Sequence, residues 1–341
     1  FPYTTLFRSD MISYVLIVIG VLSKFQHWPG GLLLIQAGVA MLVVTFIFWN
    51  ISFRKEVKLR VVAEEKLKET LNEVEEKQKE ITDSINYAKR IQEAILPSFD
   101  FIKTHLPNSF IYYQPKDIVA GDFYWIETTQ LNHQAIEQSS GEHSHLVLFA
   151  ACDCTGHGVP GAMVSMVCSN ALNRAVKEFE LIEPGLILDK VRGFVIETFA
   201  NSEKERKDGM DISLCLFDKN KMELKWAGAF NPLWIVRKDA NLIEELKANK
   251  QPIGNSEFYT PFTTHTIKIN TGDSIYIFTD GFQDQFGGEN GKKFMVPNLK
   301  KLFLSVASYS MEEQFMKIDT AFENWKNGRE QVDDVCVIGI K

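Results

Sequence analysis

Between Met11 and Ile51 the chain carries almost no charge, and this run restricts its surroundings more than any other feature. The only break is Lys24-Phe25-Gln26-His27-Trp28-Pro29-Gly30, an aromatic, Pro and Gly segment suited to a turn at a membrane interface. Gly31 to Ile51 supplies about 20 residues, enough at ~1.5 Å per residue to cross a hydrocarbon layer of roughly 30 Å. Met11 to Ser23 is shorter and spans only if its helix extends toward Trp28. A cleaved signal peptide would end in a small-residue site, whereas here a second apolar run follows; the expectation is therefore a transmembrane helical hairpin over residues 11–53. Arg54, Lys55, Lys58 and Arg60 come next, and the positive-inside bias then places everything downstream in the cytoplasm, beneath the inner membrane. Residues 1–10 show no recognisable pattern and stay unassigned.

Residues 54–98 turn rich in Glu, Lys, Leu and Ile. Leu67, Leu71, Val74, Gln78, Ile81, Ile85, Ala88, Gln92 and Ile95 follow one another in alternating steps of four and three. That is the seam of a coiled coil, with charged residues on the other faces, and it predicts a homodimer through this helix. A single solvated amphipathic helix is the alternative. Pro97 ends the pattern.

Residues 99–341 alternate turn signals with apolar segments and are long enough to bury a sizeable core. Strands are expected at Phe110–Tyr113, Phe123–Glu127, Leu146–Cys152, Ile212–Phe217, Glu223–Trp226, Leu233–Val236, Phe262–Ile267, Ser274–Phe278 and Val335–Ile340. Helices are expected over Gly161–Phe179, Gly185–Ala200, Asn298–Leu304 and Met311–Asn327. Hairpin-spaced strands with grouped helices indicate an α+β layered domain rather than a parallel βαβ sheet. The 37 Lys and Arg against 44 Asp and Glu leave a net charge of −7, which argues against a nucleic-acid partner. Five cysteines, Cys152, Cys154, Cys168, Cys215 and Cys336, sit mostly inside apolar runs, so buried and reduced thiols are expected rather than a disulfide framework.

Four segments place an aspartate beside glycine or another aspartate at a strand end: Gly121-Asp122-Phe123-Tyr124-Trp125, Asp153-Cys154-Thr155-Gly156-His157-Gly158, Thr279-Asp280-Gly281 and Gln331-Val332-Asp333-Asp334-Val335. Any one Asp-Gly pair is commonly a turn, and only the set carries weight. An aspartate leaving a buried strand into a glycine turn can aim its carboxylate, with nearby backbone carbonyls, into a shared cleft. Such an all-oxygen cage suits Mg²⁺ or Mn²⁺, and clustered carboxylates need a cation as counter-charge. Two adjacent ions could clamp a phosphoryl group for hydrolysis. His157, flanked by glycines, reads either as a loop residue without a role or as a proton donor to a leaving group.

Together with Val159-Pro160-Gly161-Ala162, Trp226-Ala227-Gly228-Ala229-Phe230-Asn231-Pro232 and Gln251-Pro252-Ile253-Gly254, these segments resemble the ordered motifs of the SpoIIE/RsbU branch of the metal-dependent protein serine/threonine phosphatases, the PPM superfamily. The resemblance runs over about residues 99–341. It implies an α/β/β/α sandwich, two antiparallel sheets flanked by helices, with two Mn²⁺ or Mg²⁺ ions at one edge. It further implies that Asp153 bridges the ions, that the Cys154 backbone carbonyl helps on one side, that Asp280 and Asp333 ligate on the other, and that Asp122 supports the centre directly or through water. The implied reaction is attack of metal-bound hydroxide on a phosphoserine or phosphothreonine, with Asp153, Asp280 and His157 as the catalytic set. The implied substrate is a phosphorylated cytoplasmic protein, by analogy a STAS-type anti-sigma-factor antagonist, and the implied control point is the helix Ile85 to Pro97.

There are departures from the pattern. Ala120 replaces the first glycine of the usual Gly-Gly-Asp, Phe230 stands at a frequent histidine, and Cys336 replaces a common threonine. No clear counterpart of the phosphate-contacting arginine exists, Lys116 being a weak candidate. Asp211 reads equally as a cleft residue and as a strand-start turn. Two other functions compete: a catalytically silent membrane scaffold, which would ordinarily have lost one of the four principal aspartates, and a nucleotide-processing cyclase.

Overall fold

The heptad-bearing segment is helical in a computed structural model that describes residues 18–21, 23–24, 30–130, 145–200, 208–238 and 242–341. The chain divides into two units, residues 1–81 and 82–341. The first holds most of helix α1 (Gly31–Ile95), whose most apolar 18-residue window has a mean hydropathy of 1.6 and no buried residue. By length and composition this helix could cross a membrane. Leu67, Leu71, Val74 and Ile81, all on the heptad seam, are exposed. The expected first crossing lies mostly outside the described residues.

In the second unit α2 (Phe99–His105), capped by the Ser98 side chain, leads into β1 (Ser109–Gln114), β2 (Phe123–Gln130) and β3 (His145–Cys154). Helices α3 (Gly158–Lys177) and α4 (Pro184–Phe199) follow, then β4 (Gly209–Asp218), β5 (Glu223–Ala229), β6 (Leu233–Arg237), β7 (Leu242–Leu246), β8 (Ile253–Gly254), β9 (His265–Lys268) and β10 (Ser274–Phe278). The short α5 (Gly281–Asp284), a small hairpin of β11 (Phe286–Gly287) and β12 (Lys292–Lys293), helices α6 (Val296–Val306) and α7 (Met311–Lys326), and β13 (Val335–Ile340) complete it.

One sheet runs β2-β3-β4-β5-β9 with β8 paired to β4; the other runs β1-β13-β10-β6-β7. All of these strand pairings are antiparallel. Side chains alternate between faces along a strand, and here both faces are covered, so strands such as Leu146–Cys152 read as unbroken apolar runs. In β3, Leu148, Ala150 and Cys152 pack under α3 and α4 with Cys168, Leu172 and Val191, while Val147, Phe149 and Ala151 meet Ile275, Ile277 and Ile338 of the facing sheet. Beyond that second sheet, Tyr276, Phe278 and Val337 pack on Leu299, Phe303, Ile318 and Phe322 of α6 and α7. This is the expected α/β/β/α sandwich, and all five cysteines are buried and free within it.

Three local differences have physical causes. The strand expected at Phe262–Ile267 begins only at His265, because Phe262 joins the core under α4 and its N–H donates to the Asp189 carboxylate, while the Thr264 hydroxyl accepts from Gly185 N. Strand β7 is an edge strand carrying Glu244 and Glu245, which pair with Arg237 and Lys300, so it lacks the apolar alternation that marks a strand. Helix α2 has only seven residues and depends on its cap rather than on periodicity.

Candidate active site

At one end of the sandwich the apolar interior becomes acidic, and the strand register explains how. Asp153 on β3 lies opposite Asp211 on β4, and the β2–β3 pairing of Phe123 with Cys152, carried one residue outward, brings Asp122 opposite Asp153. The row is on the inner face, since Ala151, two residues before Asp153, already points to the other sheet. Strands about 4.8 Å apart therefore hold three carboxylates side by side.

The facing sheet supplies the rest through its strand ends. Thr279 N donates to Cys336 O (2.9 Å) and Cys336 N donates to the Thr279 hydroxyl (2.9 Å), which staples the end of β10 to the start of β13. Asp280 leaves β10 directly after this staple, and Asp333 and Asp334 precede β13. A side chain on Gly281 would collide with Asp334 O, so only glycine allows that approach. Asp334 is occupied with the backbone: it accepts from Lys116 N (2.7 Å) and Gly121 N (2.6 Å), tying down the β1–β2 connection. On that connection, Gly121 and Gly161 both leave room for Gly156 O, which packs the two acidic loops together. Ala120 is not among the residues with positive φ, so its replacement of glycine costs the backbone nothing there.

The result is a cleft of about 210 Å³ whose wall includes Asp153, Cys154, His157, Asp211, Asp280 and Asp333. The carboxylates resist ionisation. Burial, then Asp280, Asp211 and Asp333, push Asp153 well above the ordinary range; burial followed by Asp153 does the same to Asp122, partly offset by the Thr279 hydroxyl. Burial and Asp280 raise Asp211 to about 7, and burial with Asp333 and Asp284 raises Asp280 to about 6 against the pull of Lys293. Asp122 lies behind the wall, 3% exposed, and its Oδ2 has no hydrogen-bond partner. An orphaned carboxylate oxygen beside several mutually repelling carboxylates is an electrostatic deficit that a divalent cation fits. Among the described residues no three His, Cys, Asp or Glu groups are drawn into a closed ligand cluster; the acidic groups surround the cleft instead.

His157 caps α3 at the cleft mouth with its ring half exposed. Its Nδ1 meets Asp117 Oδ2 at 2.8 Å and its Nε2 meets Lys116 Nζ at 3.0 Å. Because the Lys116 ammonium can only donate, these partners assign the proton to Nδ1 and leave Nε2 as acceptor.

Two residues here escape sequence reasoning. Asp211 is settled in the cleft only by the β3–β4 register. Gln92, read as a seam position of the coiled coil, is buried and holds Ala120 at both backbone atoms: Nε2 donates to Ala120 O (2.6 Å) and Oε1 accepts from Ala120 N (3.0 Å), with a further bond to the Ser165 hydroxyl (3.0 Å). The one available signal was a polar amide at a seam position, a feature Gln92 shares with Gln78.

A two-sheet sandwich flanked by helices, with an acidic cleft at its edge, defines a PP2C-type protein serine/threonine phosphatase. The chain belongs to the family of Stage II sporulation protein E (SpoIIE), whose model matches residues 143–341. Among solved structures, it is similar to the SiaA PP2C domain of Pseudomonas aeruginosa at 29% identity and a TM-score of 0.65, covering 77% of this chain and 97% of that one. The PP2C domain of SpoIIE from Bacillus subtilis, solved with a fragment of its regulatory domain, shares the fold at 16% identity and a TM-score of 0.51, covering 69% and 63%. The RsbU and RsbW domains of a Mycobacterium tuberculosis protein do so at 18% and 0.50, covering 69% and 60%. No curated protein matches the chain.

Proposed function

We propose that this phosphatase is metal-dependent, tethered to the inner membrane through residues 11–53, paired through the heptads of residues 54–98, and active through residues 99–341 on phosphoserine or phosphothreonine of a cytoplasmic signalling protein. The observation that carries the reading is the convergence of Asp153, Asp211, Asp280 and Asp333 on one cleft, with one carboxylate oxygen of Asp122 left without a partner beside Asp153. Asp153, Asp280, Asp333 and the Cys154 carbonyl would hold two Mn²⁺ or Mg²⁺ ions, with Asp122 as support. Bound there, the ions would neutralise the carboxylates, withdraw charge from phosphoryl oxygens and acidify water for hydrolysis. The chain's own part is to present ionised carboxylates, which Asp211 and Asp280 become above pH 6–7. Lys116 and His157, with Asp117 against the imidazole, form a polar mouth over the acidic floor, and Lys116 is the cation there that could meet the phosphate.

RsbU and RsbW occur together in one of the structural relatives, which favours a regulatory partner-switching protein as substrate, such as a STAS-type anti-sigma-factor antagonist. The exposed apolar seam from Leu67 to Ile81 favours the dimer. The test is phosphate release from a phosphoserine peptide by the full chain with Mn²⁺. Asp153→Ala and Asp280→Ala should each abolish it, and activity indifferent to both rejects the site. No activity under any metal condition identifies a silent scaffold instead. Carbonate washing of membranes should leave the chain in the pellet; its release would reject the tether.

A further inference from the structure

The two edges of the five-stranded sheet are finished differently. β7, at one edge, carries Glu244 and Glu245, each engaged in an ion pair, and such charges guard an edge against further strand pairing. β1, at the other edge, contains no charged residue. All of its residues, Ser109 to Gln114, line one groove of about 640 Å³. Successive side chains of a strand point to opposite faces, so a groove that touches every one of them in turn runs along the outer edge of the strand.

That edge has backbone groups to offer. Lys341 N donates to Asn108 O (3.0 Å) and Ser109 lies opposite Ile340, so Phe110, Tyr112 and Gln114 turn their N–H and C=O toward β13, while Ser109, Ile111 and Tyr113 turn theirs outward. Lys103 Nζ takes Ser109 O (2.7 Å), and among the described residues no second strand pairs with β1 to take those of Ile111 and Tyr113. The groove walls are apolar and acidic. Phe315, 38% exposed, and Met316, 58% exposed, stand on α7 with Glu312 and Asp319, and Phe99 of α2 adds a further ring. Among the described residues lining the groove, Lys103 is the one basic side chain, and it is already committed to Ser109.

The groove adjoins the acidic site. Its strand ends at Gln114, two positions before Lys116 at the cleft mouth, and the Tyr113 hydroxyl donates to Asp122 O (3.0 Å) while its ring meets that of Tyr124, which also lines the groove. The cleft itself, about 210 Å³, accommodates little more than a phosphorylated side chain, so selection among phosphoproteins has to use surface outside it. We propose that the groove docks an extended segment of the phosphoprotein substrate, an apolar strand bearing Lys or Arg that adds to the outer edge of β1. Main-chain bonds to Ile111 and Tyr113 hold it, Phe315 and Met316 take its apolar side chains, and Glu312 and Asp319 select the basic one. That the occupant is the substrate rests on the reading of the cleft as the phosphatase site.

The test begins with a labelled peptide of alternating isoleucine and lysine, without phosphoserine, whose binding to the full chain is followed by fluorescence anisotropy. It should bind, and a glycine–lysine peptide of equal charge should not. N-methylation of one alternate set of its amides should weaken binding by about tenfold, and methylation of the other set should have little effect, because a single edge of the peptide faces β1. This control alters the peptide and leaves the protein intact. Glu312→Lys should weaken binding by about fivefold and turn the preference toward an isoleucine–glutamate peptide. Joined to a phosphoserine peptide through flexible linkers of graded length, on either side, the isoleucine–lysine segment should lower KM by about tenfold with Mn²⁺ at unchanged kcat, relative to the glycine–lysine segment. No binding, or binding indifferent to both N-methylation and Glu312→Lys, while phosphate is released normally, overturns the groove alone. Binding that never lowers KM overturns the substrate as its occupant. Intact binding with no phosphate release from any peptide sinks the reading of the cleft, and the substrate as occupant with it.

Discussion

On the six-stranded sheet the acidic groups are strand residues in register: Asp153 and Asp211 face each other across a hydrogen-bonded ladder, and Asp122 continues the line. On the five-stranded sheet Asp280, Asp333 and Asp334 stand just outside the strands, held by the Thr279–Cys336 staple and by carboxylate contacts to the backbone. A ladder fixes spacing before any ion arrives, so its carboxylates are forced together and carry the larger burial penalty. Strand-end turns adjust more readily, and they place Asp280 nearer to solvent and to the compensating Lys293. One sheet therefore supplies a rigid half-site and the other completes it.

The sharpest way to break this contrast is Asp153→Ala, the substitution at the centre of the row. Loss of an outer-shell partner at a metal site costs about 10–100-fold, and loss of Asp153 should exceed that in kcat/KM. Activity within tenfold of wild type would show that the row is not the working half-site. Next in size is Asp122→Asn, which removes a buried charge without emptying the site. Calorimetric Mn²⁺ affinity should fall by about 10–100-fold while the metal-free chain melts higher than wild type, because a repelling carboxylate is gone. A metal-free chain that melts lower would mean that Asp122 is paired rather than strained.

Gln92→Ala tests whether the loop bearing Asp122 needs support from outside the sheets. It leaves the buried Ala120 N–H and C=O without partners, a cost of about 1–3 kcal/mol in thermal or denaturant unfolding, with a fall in Mn²⁺-supported turnover. Unchanged stability would show that water or a neighbour replaces the glutamine. The smallest effect expected is on pH. Asp211 and Asp280 bind protons in the folded chain up to about pH 7 and 6, whereas unfolded carboxylates release theirs near 4. Stability of the metal-free chain should therefore decline as pH rises from 5 to 8, by a few degrees in Tm at about 2–4 °C per kcal/mol. Saturating Mn²⁺ should reverse the order, since ligation requires ionised carboxylates. Melts in EDTA that do not depend on pH would refute the electrostatic strain.

Much of this was legible in the residue order. Unbroken apolar runs marked β3, β10 and β13 because both faces of each sheet are covered, and Pro and Gly punctuation bounded α3, α4 and α7. The four principal aspartates announced themselves through neighbouring glycine or a second aspartate. Residue type alone does not separate Asp333 from Asp334, and it was the resemblance that singled out Asp333; in the fold Lys116 N and Gly121 N claim Asp334, while Asp333 lines the cleft. The seam of α1 also misled at its end, since Gln92 satisfies the heptad spacing yet bonds to Ala120 and Ser165 rather than to a partner helix.

By itself the linear order determined that hairpin-spaced apolar strands with grouped helices would form a layered α+β domain and that acidic turns would close several strands, because periodicity and turn chemistry are local properties; the two-sheet sandwich was what the family resemblance implied. Which carboxylates share a cleft and which one lies hidden behind another were decided only in three dimensions. Antiparallel register couples residues tens of positions apart, and no neighbour in the chain records that pairing.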